Sequence, residues 1–297
     1  EVFTRLRQCQ RFAARANVVK LPTGRKPKKE PKQPDEWATS AHLTESGTLK
    51  KNAHNAHLFF RLHPDLKNKI RLDEFRRELF VFGDLPWGGH HDKPRPWMEI
   101  DLINAHSFAH SNGLEISKDL THDAATAIAH LNKFHPVKDY LSGLKWDGID
   151  RLDYWLSTFC GAAHTNYTAA VGRAWLISGV ARIMKPGCKA DAMIILEGEQ
   201  GVRKSTALRI LGGEWFTDEL GEIGTKDANQ QVLGAWIIEM AELNQLSRAE
   251  TTRVKAFVSR SEERFRLPYA RTVETFPRSC IFAGTTNADG GYFRDET

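Results

Sequence analysis

Apolar and polar positions change their rhythm partway along the chain. From about Thr44 to Cys160 apolar residues recur at helical spacing. Leu72, Phe75, Leu79 and Phe82 do so within Ile70 to Phe82, and Ala125, Ile128, Ala129 and Leu131 within His122 to Phe134. Glycine- and proline-rich loop signals at 83–89 and 93–96 separate the two stretches. The pattern predicts a small, mostly helical domain over 45–160, with a winged-helix-like arrangement as one form it can take. Beyond Tyr167 the texture alternates. Ala169 to Met184 reads as an apolar helix, and three short continuous apolar runs, Asp191 to Glu197, Ala235 to Met240 and Cys280 to Ala283, read as buried strands. Strands separated by helices predict an α/β core over 161–297 with a parallel sheet.

Composition bounds this reading without changing it. A length of 297 residues fits two compact units, and 41% hydrophobic with 27% charged residues is the balance of a globular chain. No apolar run reaches the length of about 18 residues that spans a bilayer, and no signal peptide is legible, so the cytoplasm is the expected location. Residues 1–44 read as a basic, Pro- and Lys-rich disordered linker, densest in charge from Lys20 to Pro34. Those lysines serve either as a tether to an upstream domain or as direct phosphate contacts. The formal charge of +5 favours a polyanionic partner. Glu1 at the start and the unremarkable run to Thr297 give the expectation of a fragment cut at both ends. Cys9, Cys160, Cys188 and Cys280 have no metal-ligand or redox spacing. The pairs His54 with His57, His90 with His91 and His106 with His110 lack the further cysteines or carboxylates of a zinc site.

The strongest chemical signal lies between the strand at 191–197 and a helix expected to run to about Leu211. A triphosphate must be held without bulky side chains intervening, and glycines let backbone N–H groups curl around its oxygens. Gly198 and Gly201 suit that part. With them the nucleotide-binding set is Gln200, Val202, Arg203, Lys204, Ser205 and Thr206. Lys204 would reach the β- and γ-phosphates, Ser205 would ligate Mg2+, and Thr206 would support the α-phosphate. The pattern departs from G-x-x-x-x-G-K-[ST] at one place, where Arg203 stands for the second glycine. If that position needs a positive φ, the arginine costs on the order of 1–3 kcal/mol. It could also add a phosphate contact.

Hydrolysis also needs carboxylates near the end of a neighbouring strand. In Trp236 to Glu242, Glu239 is assigned to the metal and Glu242 to the attacking water, with the two roles exchangeable. Asn287, after the third strand, would sense the γ-phosphate. The expected cofactors are ATP and Mg2+.

Together these residues resemble the virulence-associated protein E family of phages and mobile elements, a relative of superfamily 3 helicases within the AAA+ ATPases. The resemblance rests on the run Tyr140 to Gly148, on Pro186 to Lys189, on the loop at 198–206, on Trp236 to Leu243, on Lys255 to Phe257, on Arg266 to Tyr269 and on Gly284 to Asn287. It implies a P-loop NTPase fold and a ring oligomer, hexameric by expectation, moving on single-stranded DNA during replication of a phage or mobile element. It also implies an upstream primase-like domain and, beyond Asp295 to Thr297, a pair of arginines that acts in trans. The residues offer their own nucleic-acid candidates in Lys255, Arg264, Arg266, Tyr269 and Arg271, where basic and aromatic side chains could grip phosphates and stack on a base, with Glu262 and Glu263 softening the charge. Two functions stay open: an ATP-hydrolysing helicase-like enzyme, and a catalytically weak or idle nucleotide-binding module that recruits or regulates replication partners.

Overall fold

Asp73 turns what reads as one helix into a hairpin. In the computed structural model, which describes residues 36–241, 243, 247–267 and 272–287, β1 (Ile70–Asp73) pairs antiparallel with β2 (Glu78–Val81). The Asp73 carboxylate accepts from the N–H groups of Phe75 and Arg76 at 2.8 and 3.0 Å, a side-chain turn that competes with helical hydrogen bonding. Arg77 closes the reversal in the left-handed region at φ 61°. The helix expected over Ile70 to Phe82 is therefore corrected to two strands. β3 (Arg95–Pro96) and β4 (Lys133–Phe134) complete a four-stranded sheet in the order β3-β2-β1-β4.

Helices Ala53–Leu62, Glu99–Ser111 and Lys118–Leu131 cover this sheet and enclose a core of Phe59, Phe60, Leu66, Leu114 and Ile128. The last of them bears out the second helical stretch, with Ala125, Ile128 and Ala129 buried. Leu131 is the exception at 70% exposed, because the helix ends there and the next residues join β4.

The second sheet carries the alternation read beyond Tyr167. Its strands are β5 (Ile194–Glu197), β6 (Phe216–Thr217) and β7 (Ile237–Met240), followed after a separate antiparallel hairpin of β8 (Glu262–Phe265) and β9 (Glu274–Pro277) by β10 (Ile281–Thr286). All its pairings are parallel, and the spatial order is β5-β10-β7-β6. The chain is thus a mixed α/β protein with a parallel sheet. The three expected strands are present with shifted ends. β6 escaped notice because two residues show no period.

Alternation along a strand decides which side chains meet. Ile237, Ile281 and Ala283 join Ile194, Trp175 and Leu208 on one face, while Ile238, Met240 and Phe282 join Val254 and Phe257 on the other. Helix Asn166–Met184 is fixed to the first face by two indoles. Trp175 donates to the Phe282 carbonyl at 2.8 Å, and Trp236 donates to the Gly179 carbonyl at 2.9 Å. Gly179 permits this approach, since a β-carbon there would stand 2.9 Å from Ile281 Cδ1. Among the described residues no helix is long and apolar enough to cross a membrane.

The tip of the β1–β2 hairpin joins the two sheets. Phe75 is buried in the second core with Val137, Trp155 and Trp236. Its carbonyl accepts from Gly234 N at 3.1 Å, and Arg76 bridges Asp73 to Glu214. Phe75→Ala removes a buried aromatic ring and should destabilise the protein by about 3–5 kcal/mol. The expected reading is a lower urea midpoint with an unchanged slope, and an unaltered midpoint would refute the role given to this side chain.

Candidate functional site

The loop between β5 and helix Lys204–Gly212 is held open by backbone rather than by side chains. Gly201 takes φ 87°, and Arg203, at the N-cap of the helix, takes φ 67° and ψ 31° with no side-chain cap. A left-handed conformation costs an ordinary residue about 1–2 kcal/mol, so the expected strain at Arg203 is present. Lys204 Nζ lies over the loop itself, donating to the carbonyls of Gly198 and Glu199 at 2.7 and 2.9 Å.

One residue further on, the helix meets β7. Ser205 Oγ donates to Glu239 Oε1 at 2.7 Å. Thr285 Oγ1, at the carboxyl end of β10, donates to the same oxygen at 2.6 Å. Glu239 is only 2% exposed, and its second oxygen, Oε2, is buried with no hydrogen-bond partner among the described residues. Strand parity explains the encounter: Glu239 is two residues past Ile237, and Thr285 two past Ala283, so both side chains issue from the face that covers the helix. β10 lies between β5 and β7, which brings its end next to the carboxylate. A carboxylate out of water with one oxygen unsatisfied is an unfavourable arrangement by itself and a favourable one toward a cation.

Ser205 and Thr285 line a polar hollow of about 370 Å³ with Gln200, Gly201 and Arg203, with Lys204 and Thr206 at the helix start, and with Thr286 and Asn287; Glu239 lies behind the two hydroxyls. An ammonium, a helix N-terminus and exposed loop amides on its wall attract an anion. A second hollow of about 740 Å³ shares Arg203, Lys204 and Thr206 with the first and is otherwise more apolar, with Phe159, Tyr167, Val171, Val202 and Ile210 on its wall. The structure therefore brings Gly201, Lys204, Ser205, Thr206, Glu239 and Asn287 to one place, with Val202 turned to the apolar side. Glu242 lies outside the described residues.

Sequence reasoning missed Thr285. Its signal was the strand pairing of Ala283 with Glu239, which no linear pattern displays.

The nucleic-acid candidates are more dispersed. Lys255 is exposed on helix Arg248–Val258, Arg264 is exposed on β8, and Arg266 is exposed just beyond it. Tyr269 and Arg271 lie outside the described residues. Glu263 is corrected. Rather than softening surface charge, it is buried in an ion pair with Arg278 and takes a second contact from Arg260 at 3.3 Å. Among the histidines, His106 and His110 both hold the Ile116 carbonyl, and His90 sits between Asp84 and Asp92. Burial pushes the Cys280 thiol up to about 11, so it stays protonated at neutral pH.

Residues 141–297, more than half of the chain, match the family described as the virulence-associated protein E-like domain, and the chain belongs to that family. No curated protein sequence matches it. Among solved structures, the A-form apo structure of the NrS-1 C-terminal region aligns with a TM-score of 0.40 at 10% identity, covering 74% of this chain and 54% of that one. An apo structure of the same region aligns with a TM-score of 0.39 at 12% identity, covering 73% and 54%. The chain spans about half the length of these solved chains.

The strain at Arg203 is directly measurable. Arg203→Gly should stabilise the protein by about 1 kcal/mol, since glycine takes positive φ without steric penalty. A loss of stability by chemical denaturation would show that the arginine side chain outweighs its backbone strain.

Proposed function

We propose that this member of the virulence-associated protein E-like family is a P-loop NTPase that binds ATP with Mg2+ in the polar hollow and hydrolyses it while acting on DNA. The observation that supports this most is the meeting of Ser205 with Glu239 beside Lys204, with Glu239 Oε2 buried and unpartnered among the described residues. Among the described residues no cluster of three histidine, cysteine or carboxylate side chains could cage a metal. That fits Mg2+, which commonly takes one or two carboxylates together with substrate phosphates rather than an all-protein cage. Ser205 and Glu239 are the residues that would hold it. When bound, Mg2+ would neutralise negative charge on the nucleotide's phosphates.

The chain's own groups divide the remaining work. Lys204 exchanges its bonds to the Gly198 and Glu199 carbonyls for phosphate oxygens, so its charge is already aimed at the loop before substrate arrives. Backbone N–H groups from Gly198 to Thr206 surround the phosphates, and the apolar hollow beyond Arg203 has the shape and lining for the base. Asn287, on the wall of the polar hollow, senses the γ-phosphate, and Glu242 orients water. Arg264 and Arg266, exposed on the β8–β9 hairpin, together with Lys255, Tyr269 and Arg271, form the DNA-contacting set. The family resemblance supports single-stranded DNA as substrate, a hexameric ring of this chain as the working assembly, and replication of a phage or mobile element as the setting.

A second reading has its own observation. Arg203 holds a left-handed backbone where the motif has glycine, which favours a module that binds nucleotide and turns it over weakly or not at all.

Purified protein separates the readings. Wild type should bind ATP in the presence of Mg2+ and release phosphate faster with single-stranded DNA. Lys204→Ala should weaken ATP binding about tenfold or more, the strength of a charge-assisted hydrogen bond. Glu239→Gln should remove the Mg2+ dependence of binding and stop turnover. Tight binding without phosphate release in the full-length protein supports the idle module, and absence of ATP binding in wild type sinks both.

The DNA-binding surface is tested separately. Arg264→Ala with Arg266→Ala should weaken single-strand binding at every sequence and reduce the salt-dependence slope by about one for each phosphate no longer neutralised. An unchanged slope would remove the hairpin from the DNA-binding surface.

A further inference from the structure

We infer that Thr285 is a positioning residue for the cation-binding carboxylate, a role that rests on the nucleotide reading of the site. Glu239 has two hydrogen-bond donors among the described residues, and they differ in what else they do. Ser205 belongs to the start of the helix and is itself assigned to the cation. Thr285 is 6% exposed, belongs to β10, and donates its hydroxyl proton to Glu239 Oε1 at 2.6 Å.

Both donors fall on one oxygen. With Oε1 holding two hydroxyls, the carboxylate plane is fixed and Oε2 is the oxygen left over, buried and without a partner among the described residues. A carboxylate with a single donor can turn about its terminal torsion, which is broad and nearly two-fold, and exchange its oxygens. Thr285 removes that freedom. Its placement follows from the sheet: Ala283 pairs with Glu239, so the side chain two residues later stands on the same face, one pleat nearer the carboxyl ends where open α/β sheets bind ligands. Groups that orient a metal-ligating carboxylate typically contribute 10–100-fold to metal affinity.

The test separates ion from nucleotide. A fluorescent ATP analogue is titrated at fixed concentration with Mg2+, and again in excess chelator, for wild type, Thr285→Val and Thr285→Ser. The valine keeps the shape and loses the hydroxyl. Its Mg2+ midpoint should rise about tenfold or more, with affinity in chelator unchanged, and the serine should restore the wild-type midpoint. A residue that merely packs would move both affinities together and would not be rescued by serine. Should Thr285→Val fail to fold, Thr285→Ala carries the same comparison against Thr285→Ser. If wild type binds and Lys204→Ala does not, yet the Mg2+ midpoint of Thr285→Val equals that of wild type, the positioning role is overturned and the nucleotide reading stands. If wild type binds no analogue at any Mg2+ concentration, the nucleotide reading falls and takes this inference with it.

Discussion

A carboxylate withdrawn from water needs donors, and Glu239 finds its two on other elements of the sheet and helix layers. Ser205 comes from the helix after β5, Thr285 from the end of β10, and the carboxylate itself from β7. Hydrogen bonds to a charged group are worth about 1.5–3 kcal/mol each, and an unsatisfied buried oxygen offsets part of that gain. The result is a junction that needs β10 between β5 and β7 in order to exist. A strand order that separated β10 from β7 would leave Glu239 without Thr285.

The loop in front of that junction satisfies its charge just as locally. Lys204 places its ammonium on two carbonyls of the loop, which keeps the charge beside the hollow with no carboxylate partner among the described residues. Arg203 adds strain at the helix N-cap that a glycine would relieve, and strain of that kind gathers where a loop must hold an otherwise unpopulated shape. Membership of the virulence-associated protein E-like family covers the whole of this region, from Leu141 onward.

The N-terminal sheet is coupled to the same strand from behind. Phe75 and Arg76, at the hairpin tip, hold Gly234 and Glu214, and Gly234 lies three residues before β7 begins. Gly234 itself takes φ 75°, and a β-carbon there would fall 2.9 Å from Arg76 Cγ. The hairpin thus borders the segment that leads into the Glu239 strand, chiefly through a backbone hydrogen bond and aromatic packing, while the Arg76–Glu214 pair, with Glu214 exposed, contributes little.

Much of this was legible in linear order, for a physical reason. Continuous apolar runs can only be buried strands or helices, so the second-sheet strands at 194–197, 237–240 and 281–286 announced themselves, as did the glycine-bearing loop and Lys204–Ser205. The positive φ at Arg203 was implied by the glycine the motif wants there. What misled was the run Ile70 to Phe82, where apolar spacing matched a helix until the Asp73 side chain captured two backbone N–H groups. Glu263 was another such case, reading as surface charge until Arg278 enclosed it. The amino-acid sequence by itself determined the local elements and the chemistry carried by each, because those depend on neighbours along the chain. Tertiary structure alone decided that Thr285 and Ser205 converge on one oxygen of Glu239, because strand order and register join residues 34 and 46 positions away from it, and no local pattern records such a pairing.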